Sequence, residues 1–93
     1  MPGIRDFRGK VAVITGAGSG IGRATAVAFA RHGAELVIAD IRDDRLDEVS
    51  ALIRKEGAGV LAKRVHVCRR EEVDALARFV MAERSDVDIL CNN

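Results

Sequence analysis

Apolar runs and glycine-marked breaks alternate along this chain. Val11-Ala12-Val13-Ile14 is wholly apolar and predicts a short buried strand. Ile21 to His32 is alanine-rich, with Ile21, Ala24, Ala28 and Phe29 at helical spacing, and Gly33 predicts the C-cap. Leu36-Val37-Ile38-Ala39 predicts a second buried strand, stopped by Asp40. Leu46, Val49, Leu52 and Ile53 mark an amphipathic helix from about Asp43 to Glu56. Val60 to Val67 predicts a third strand, interrupted by the charges of Lys63 and Arg64. Val73, Leu76, Ala77 and Val80 fit a helix from about Glu71 to Arg84, and Val87 to Cys91 a fourth strand broken by Asp88. The order β-α-β-α-β-α-β, with apolar strands, predicts an α/β fold with a parallel sheet covered by helices.

Composition narrows the class. The 93 residues are 48% apolar and 31% charged, which suits one small soluble domain or part of one. No stretch approaches the ~20 apolar residues needed to span a bilayer. Met1 to Lys10 is too mixed and charged for a signal peptide. With 15 basic against 14 acidic residues, the balance argues against a nucleic-acid or membrane-surface binder. Two cysteines, Cys68 and Cys91, form no disulfide framework and fit a reducing, cytoplasmic setting.

The candidate chemistry lies in Thr15-Gly16-Ala17-Gly18-Ser19-Gly20-Ile21-Gly22, between the first strand and the first helix. A helix N-terminus exposes unpaired N–H groups and a partial positive charge, and glycine lets backbone approach an anion closely. This is a place for a diphosphate. Two familiar patterns fail. G-x-G-x-x-G from Gly16 and Gly18 needs glycine where Ile21 stands, and the P-loop pattern breaks at Ile21 and at Arg23-Ala24. What remains is T-G-x-x-x-G-x-G, carried by Thr15, Gly16, Gly20 and Gly22. A tight structural turn is the alternative, although so many glycines cost backbone entropy.

That pattern resembles the short-chain dehydrogenase/reductase family. Gly9 to Ile14 is similar to the family's first strand, Ala39-Asp40 to the end of its second, and Asp88 to Asn93 to the opening of its Asn-Asn-Ala-Gly segment. The resemblance runs from about Phe7 to Asn93. It implies a Rossmann-like doubly wound parallel sheet of strand order 3-2-1-4, incomplete, with residues 1–93 forming a partial NAD-binding domain. The first two helices are then expected on one face and the third on the other.

The same resemblance assigns roles. Gly16, Gly20 and Gly22 permit the phosphate turn, Ser19 and Ile21 line it, and Asp40 holds the adenosine ribose. His66 and Val67 flank adenine, Asn93 borders the ribose, and Asn92 ties strand ends together. An acid at the position of Asp40 accepts from ribose hydroxyls and repels a 2′-phosphate. Relatives that prefer NADP carry a base where Ser19 or Ile41 stands here, and Arg42, one step further on, is expected to point elsewhere. NAD is therefore favoured over NADP. A solvated loop acid, or a cap for the helix from Asp43, is the other reading of Asp40.

The sequence departs from the family after the third strand. His66-Val67 replaces the usual Asp-Val, and a neutral imidazole keeps one acceptor for adenine. Cys68-Arg69-Arg70 replaces the usual hydroxyl cap and acid, placing cations where they oppose the helix dipole, partly offset by Glu71 and Glu72. In a 3-2-1-4 sheet, His66 and Cys68 stand three interstrand steps, ~14 Å, from Cys91, which argues against both a metal site and a disulfide.

The family's reaction is hydride transfer between NAD and an alcohol/carbonyl substrate. It uses a Ser and a Tyr-x-x-x-Lys pair. This chain has no tyrosine, and its lysines are Lys10, Lys55 and Lys63. The expectation is the cofactor-binding part of such an oxidoreductase, inactive alone. A non-catalytic dinucleotide-binding or regulatory module, or a decayed copy, is the alternative. A fourth strand at the sheet edge predicts an under-covered second face and self-association through the edge. The carboxylate of Asn93 is expected near the cofactor phosphates, where like charge weakens binding.

Overall fold

In the computed structural model, which describes residues 7–66, 68–83 and 87–92, the apolar runs form the strands of one parallel sheet. The elements follow as β1 Val11–Thr15, α1 Gly20–Arg31, β2 Glu35–Asp40, α2 Asp43–Lys55, β3 Val60–Arg64, α3 Arg70–Glu83 and β4 Ile89–Asn92. The sheet order is β3-β2-β1-β4, the order expected. Val13 aligns with Val37 and Leu90, and Ile38 with Ala62.

The two-residue period of the strands divides the core. Ala12, Ile14, Leu36 and Ile38 face one side and pack against Ala26 and Ala30 of α1 and Leu46, Val49 and Ile53 of α2. Val11, Val13, Val37 and Ala39 face the other side, against Leu76 and Val80 of α3. Strands buried on both faces read as continuous apolar runs, which is why β1 and β2 carried no alternation.

Helix α1 differs from its sequence reading. Its buried positions are Gly22, Ala26 and Ala30, whereas Ile21 is 78% exposed and Ala24 and Ala28 are also exposed. In a helix this rich in alanine the apolar pattern barely distinguishes one face from another. The smallest residues go inward because they let the helix lie close against the sheet. The third strand is shorter than expected, ending at Arg64, although the Val65 N–H still donates to the Asp40 carbonyl at 2.9 Å. Lys63 and Arg64 are exposed on this edge strand, which suits charges that blunt an edge.

Asp88 precedes β4 rather than breaking it. Its Oδ2 accepts from the Val11 N–H at 2.8 Å and its own N–H donates to the Val11 carbonyl at 3.0 Å, which fixes the register of β4 on β1. The second face is under-covered among the described residues. An open apolar cleft of about 440 Å³ lies between α3 and β4, lined by Val13, Val73, Met81, Val87 and Leu90 among others. No helix among the described residues is long and apolar enough to cross a membrane.

Candidate functional site

Parallel strands bring their carboxyl ends to one edge, and a crevice opens where the strand order reverses. Here that point lies between β1 and β4, beside the loop that enters α1. Thr15, Asp40 and Asn92 end their strands along this edge. The Thr15 hydroxyl donates to Asn92 Oδ1 at 2.7 Å, tying the ends of β1 and β4 together as expected of Asn92.

The loop turns on two left-handed glycines, Gly16 at φ +64° and Gly20 at φ +59°. Between them the Ala17 N–H donates to the Ala39 carbonyl at 3.1 Å, which fastens the loop to the end of β2. Ser19 is the N-cap of α1 in extended conformation, but its side chain caps nothing, and no acid stands in the first turn. The other two helices carry acids there, Asp43 and Asp44 in α2 and Glu71 and Glu72 in α3. Thus, among the helices of the described residues, α1 is the one with no acid in its first turn to offset its N-terminal charge. A Cβ added at Gly20 would meet nothing within 4 Å, so open space faces this helix end. These features suit an anionic diphosphate.

Asp40 lies beside the same loop. Its Oδ2 accepts from the Gly18 N–H at 2.9 Å and its Oδ1 from the Arg42 N–H at 3.0 Å. It is thus no free loop acid, and the amides it accepts from do not belong to the first turn of α2. The Arg42 guanidinium is committed elsewhere, to Asp44 at 2.8 and 3.1 Å. That pairing raises the Arg42 pKa above its ordinary value and lowers that of Asp44, in each case chiefly through the hydrogen bond between the two side chains.

Gly16, Ser19, Gly20, Ile21 and Gly22 thus follow one another through the loop and the first turn of α1, and Asp40 joins that loop through the Gly18 N–H. His66 follows just beyond, past the Val65–Asp40 hydrogen bond. Val67 and Asn93 lie outside the described residues. His66 Nδ1 accepts from the Cys68 N–H at 3.3 Å. With that acceptor engaged, a neutral imidazole carries its proton on Nε2 and offers a donor. Gly18 and Thr15 were missed as individual contributors. A fourth glycine within the cluster, and a hydroxyl closing an apolar strand, were the available signals.

The basic stretch before α3 is settled locally. Glu72 Oε1 accepts from the His66 N–H at 2.8 Å, and Oε2 meets Arg69 Nη1 at 3.4 Å. The His66 hydrogen bond first, and the charge of Arg69 after it, hold the Glu72 carboxyl below its ordinary range. A lowered folded-state pKa means that its contribution is complete above the ordinary glutamate range and is lost as pH falls through the folded value. Glu72→Gln is therefore expected to lower the melting temperature near neutral pH, with the gap closing in acid. Thermal melts of both proteins across pH check this, and a gap that persists at low pH refutes it.

Comparison with known proteins agrees with this geometry. The family profile of short chain dehydrogenases matches residues 10–93. The chain is 42% identical over 85 residues to 7alpha-hydroxysteroid dehydrogenase of Escherichia coli K12, covering 91% of this chain and 33% of that protein. It is 46% identical over 90 residues to epidermal retinol dehydrogenase 2 of Mus musculus, covering 96% and 29%. Among solved structures, a hydroxysteroid dehydrogenase from Escherichia coli superposes with a TM-score of 0.90 at 40% identity, covering 96% of this chain and 38% of that one. A short chain dehydrogenase/reductase from Burkholderia phymatum in complex with NAD gives 0.85 at 42% identity, covering 91% and 30%. The chain spans about a third of the length of these relatives.

Proposed function

Since the chain belongs to the short chain dehydrogenase family, we propose that residues 1–93 form the NAD-binding part of an oxidoreductase acting on an alcohol/carbonyl pair. The amides opening α1, around Gly16, Ser19, Gly20, Ile21 and Gly22, hold the diphosphate. Asp40 takes the adenosine ribose, His66 and Val67 border the adenine, and Asn93 lies near the ribose. Bound NAD supplies the hydride acceptor; the chain's own residues bind it and orient it.

One observation carries the choice of cofactor. Asp40 is held by two backbone amides beside an uncapped helix start, while the nearby Arg42 is occupied by Asp44. An oriented carboxylate favours ribose hydroxyls and repels a 2′-phosphate. The family's tyrosine acid/base has no counterpart among these residues, which include no tyrosine. The 93-residue chain by itself is therefore expected to bind dinucleotide without oxidising or reducing a substrate. Titration calorimetry checks the binding, with NAD expected to bind roughly tenfold or more tightly than NADP. Absence of heat with both dinucleotides, or a preference for NADP, overturns the proposal.

A further inference from the structure

Three of the four polar groups of His66 are taken up within the chain. Its N–H donates to Glu72 Oε1 at 2.8 Å, and its carbonyl accepts from the Arg69 N–H at 2.9 Å. Its Nδ1 accepts from the Cys68 N–H at 3.3 Å. The turn into α3 therefore grips this residue by backbone and ring together. The residue before it is fastened to the end of β2, where the Val65 N–H donates to the Asp40 carbonyl at 2.9 Å. Among the described residues nothing meets Nε2. His66 is half-buried, and Nε2 is what it has left for a ligand at this edge of the sheet.

On the reading of this edge as a dinucleotide site with the base beside His66, we propose that His66 reads the base as a hydrogen-bond donor. The site then does not select for the exocyclic amine of adenine, and it also takes a dinucleotide in which hypoxanthine replaces adenine. A neutral imidazole has one donor and one acceptor nitrogen. The bond accepted at Nδ1 selects the tautomer with its proton on Nε2. An N–H donor can meet a ring nitrogen of adenine, but not the amine, which is itself a donor. Hypoxanthine carries a carbonyl oxygen in place of that amine, so its edge offers acceptors, as the edge of guanine does. Either base therefore satisfies the donor. The aspartate of the family's usual Asp-Val is the opposite case. A carboxylate is acceptor-only, so it suits the amine and is repelled by the oxygen. Exchanging acid for imidazole inverts the polarity with which the base is read.

Titration calorimetry at about pH 8, above the ordinary histidine range, reads this with NAD and with nicotinamide hypoxanthine dinucleotide. The unmodified chain is expected to bind the two within about threefold of each other. His66→Ala should weaken both alike, by about fivefold, the scale of one neutral hydrogen bond. His66→Asp should favour NAD by roughly tenfold or more, because a charged acceptor gains with one base and loses with the other. Circular dichroism confirms that the variants fold. An unmodified chain that prefers NAD tenfold or more overturns the proposal, as does a folded His66→Ala protein of unchanged affinity or a folded His66→Asp protein of unchanged ratio. Failure of the unmodified chain to bind either dinucleotide instead refutes the site reading beneath it. The tautomer has its own readout without ligand. Long-range proton–nitrogen NMR correlations show which ring nitrogen carries the proton. The chain has two histidines, so the signals lost in His66→Ala are those of His66. The proton is expected on Nε2, and a proton on Nδ1 overturns the proposal whatever the dinucleotides do.

Discussion

Ile38→Ala is expected to remove most of the stability of this domain. Ile38 is 0% exposed at the centre of β2, between Ile14 on β1 and Ala62 on β3, and packs into the face covered by α1 and α2. Truncating a fully buried isoleucine costs about 2–5 kcal/mol, from lost transfer energy and the cavity left behind. Whole domains are stable by about 5–15 kcal/mol, and a small chain with an under-covered second face should sit at the lower end. The urea midpoint should fall by about 1 M or more, followed by circular dichroism. Leu90→Ala is the matched control, because Leu90 is 68% exposed on β4 and its loss should stay within about 0.5 kcal/mol. A midpoint for Ile38→Ala close to that of the unmodified chain contradicts the core described.

Gly20→Ala should have the largest effect on binding while leaving the fold in place. Gly20 is left-handed at φ +59°, so alanine there carries a strain of about 1–2 kcal/mol. A Cβ would touch nothing in the protein, but it would project into the open space before the uncapped start of α1. Losing one hydrogen bond to a charged phosphate oxygen weakens binding by roughly tenfold to a hundredfold. Gly57→Ala separates strain from site. Gly57 has φ +83°, also with nothing within 4 Å of an added Cβ, but it follows the far end of α2. Both variants should melt lower, and only Gly20→Ala should lose NAD in calorimetry. Equal affinities in the two variants refute the phosphate cradle.

Much of the fold was legible because its strands are buried on both faces. That burial demands unbroken apolar runs, and Val11 to Ile14 and Leu36 to Ala39 are such runs. The glycine cluster was legible for a different reason, since left-handed turns and close backbone approach exclude most other residues. Helix α1 was misread because Ala24, Ala26, Ala28 and Ala30 give a periodicity reading nothing to separate. The role of Asp88 was hidden too, because an acid that accepts from a neighbouring strand looks in sequence like one that interrupts its own.

The sequence alone determined the order of elements, the parallel sheet, the glycine-rich turn and the acid at the end of the second strand. These are encoded locally, in burial patterns and in glycines whose conformations few other residues can adopt. Tertiary structure alone decided what each site residue is bonded to. It decided that Asp40 is held by Gly18 and Arg42, that Arg42 is occupied by Asp44, and that His66 Nδ1 accepts from the Cys68 N–H. Such pairings depend on where folding places the end of β2 against the loop before α1, and on a few tenths of an ångström between a backbone and a carboxylate. A residue's identity fixes what it can donate or accept, and the neighbours that the fold supplies fix what remains for a ligand.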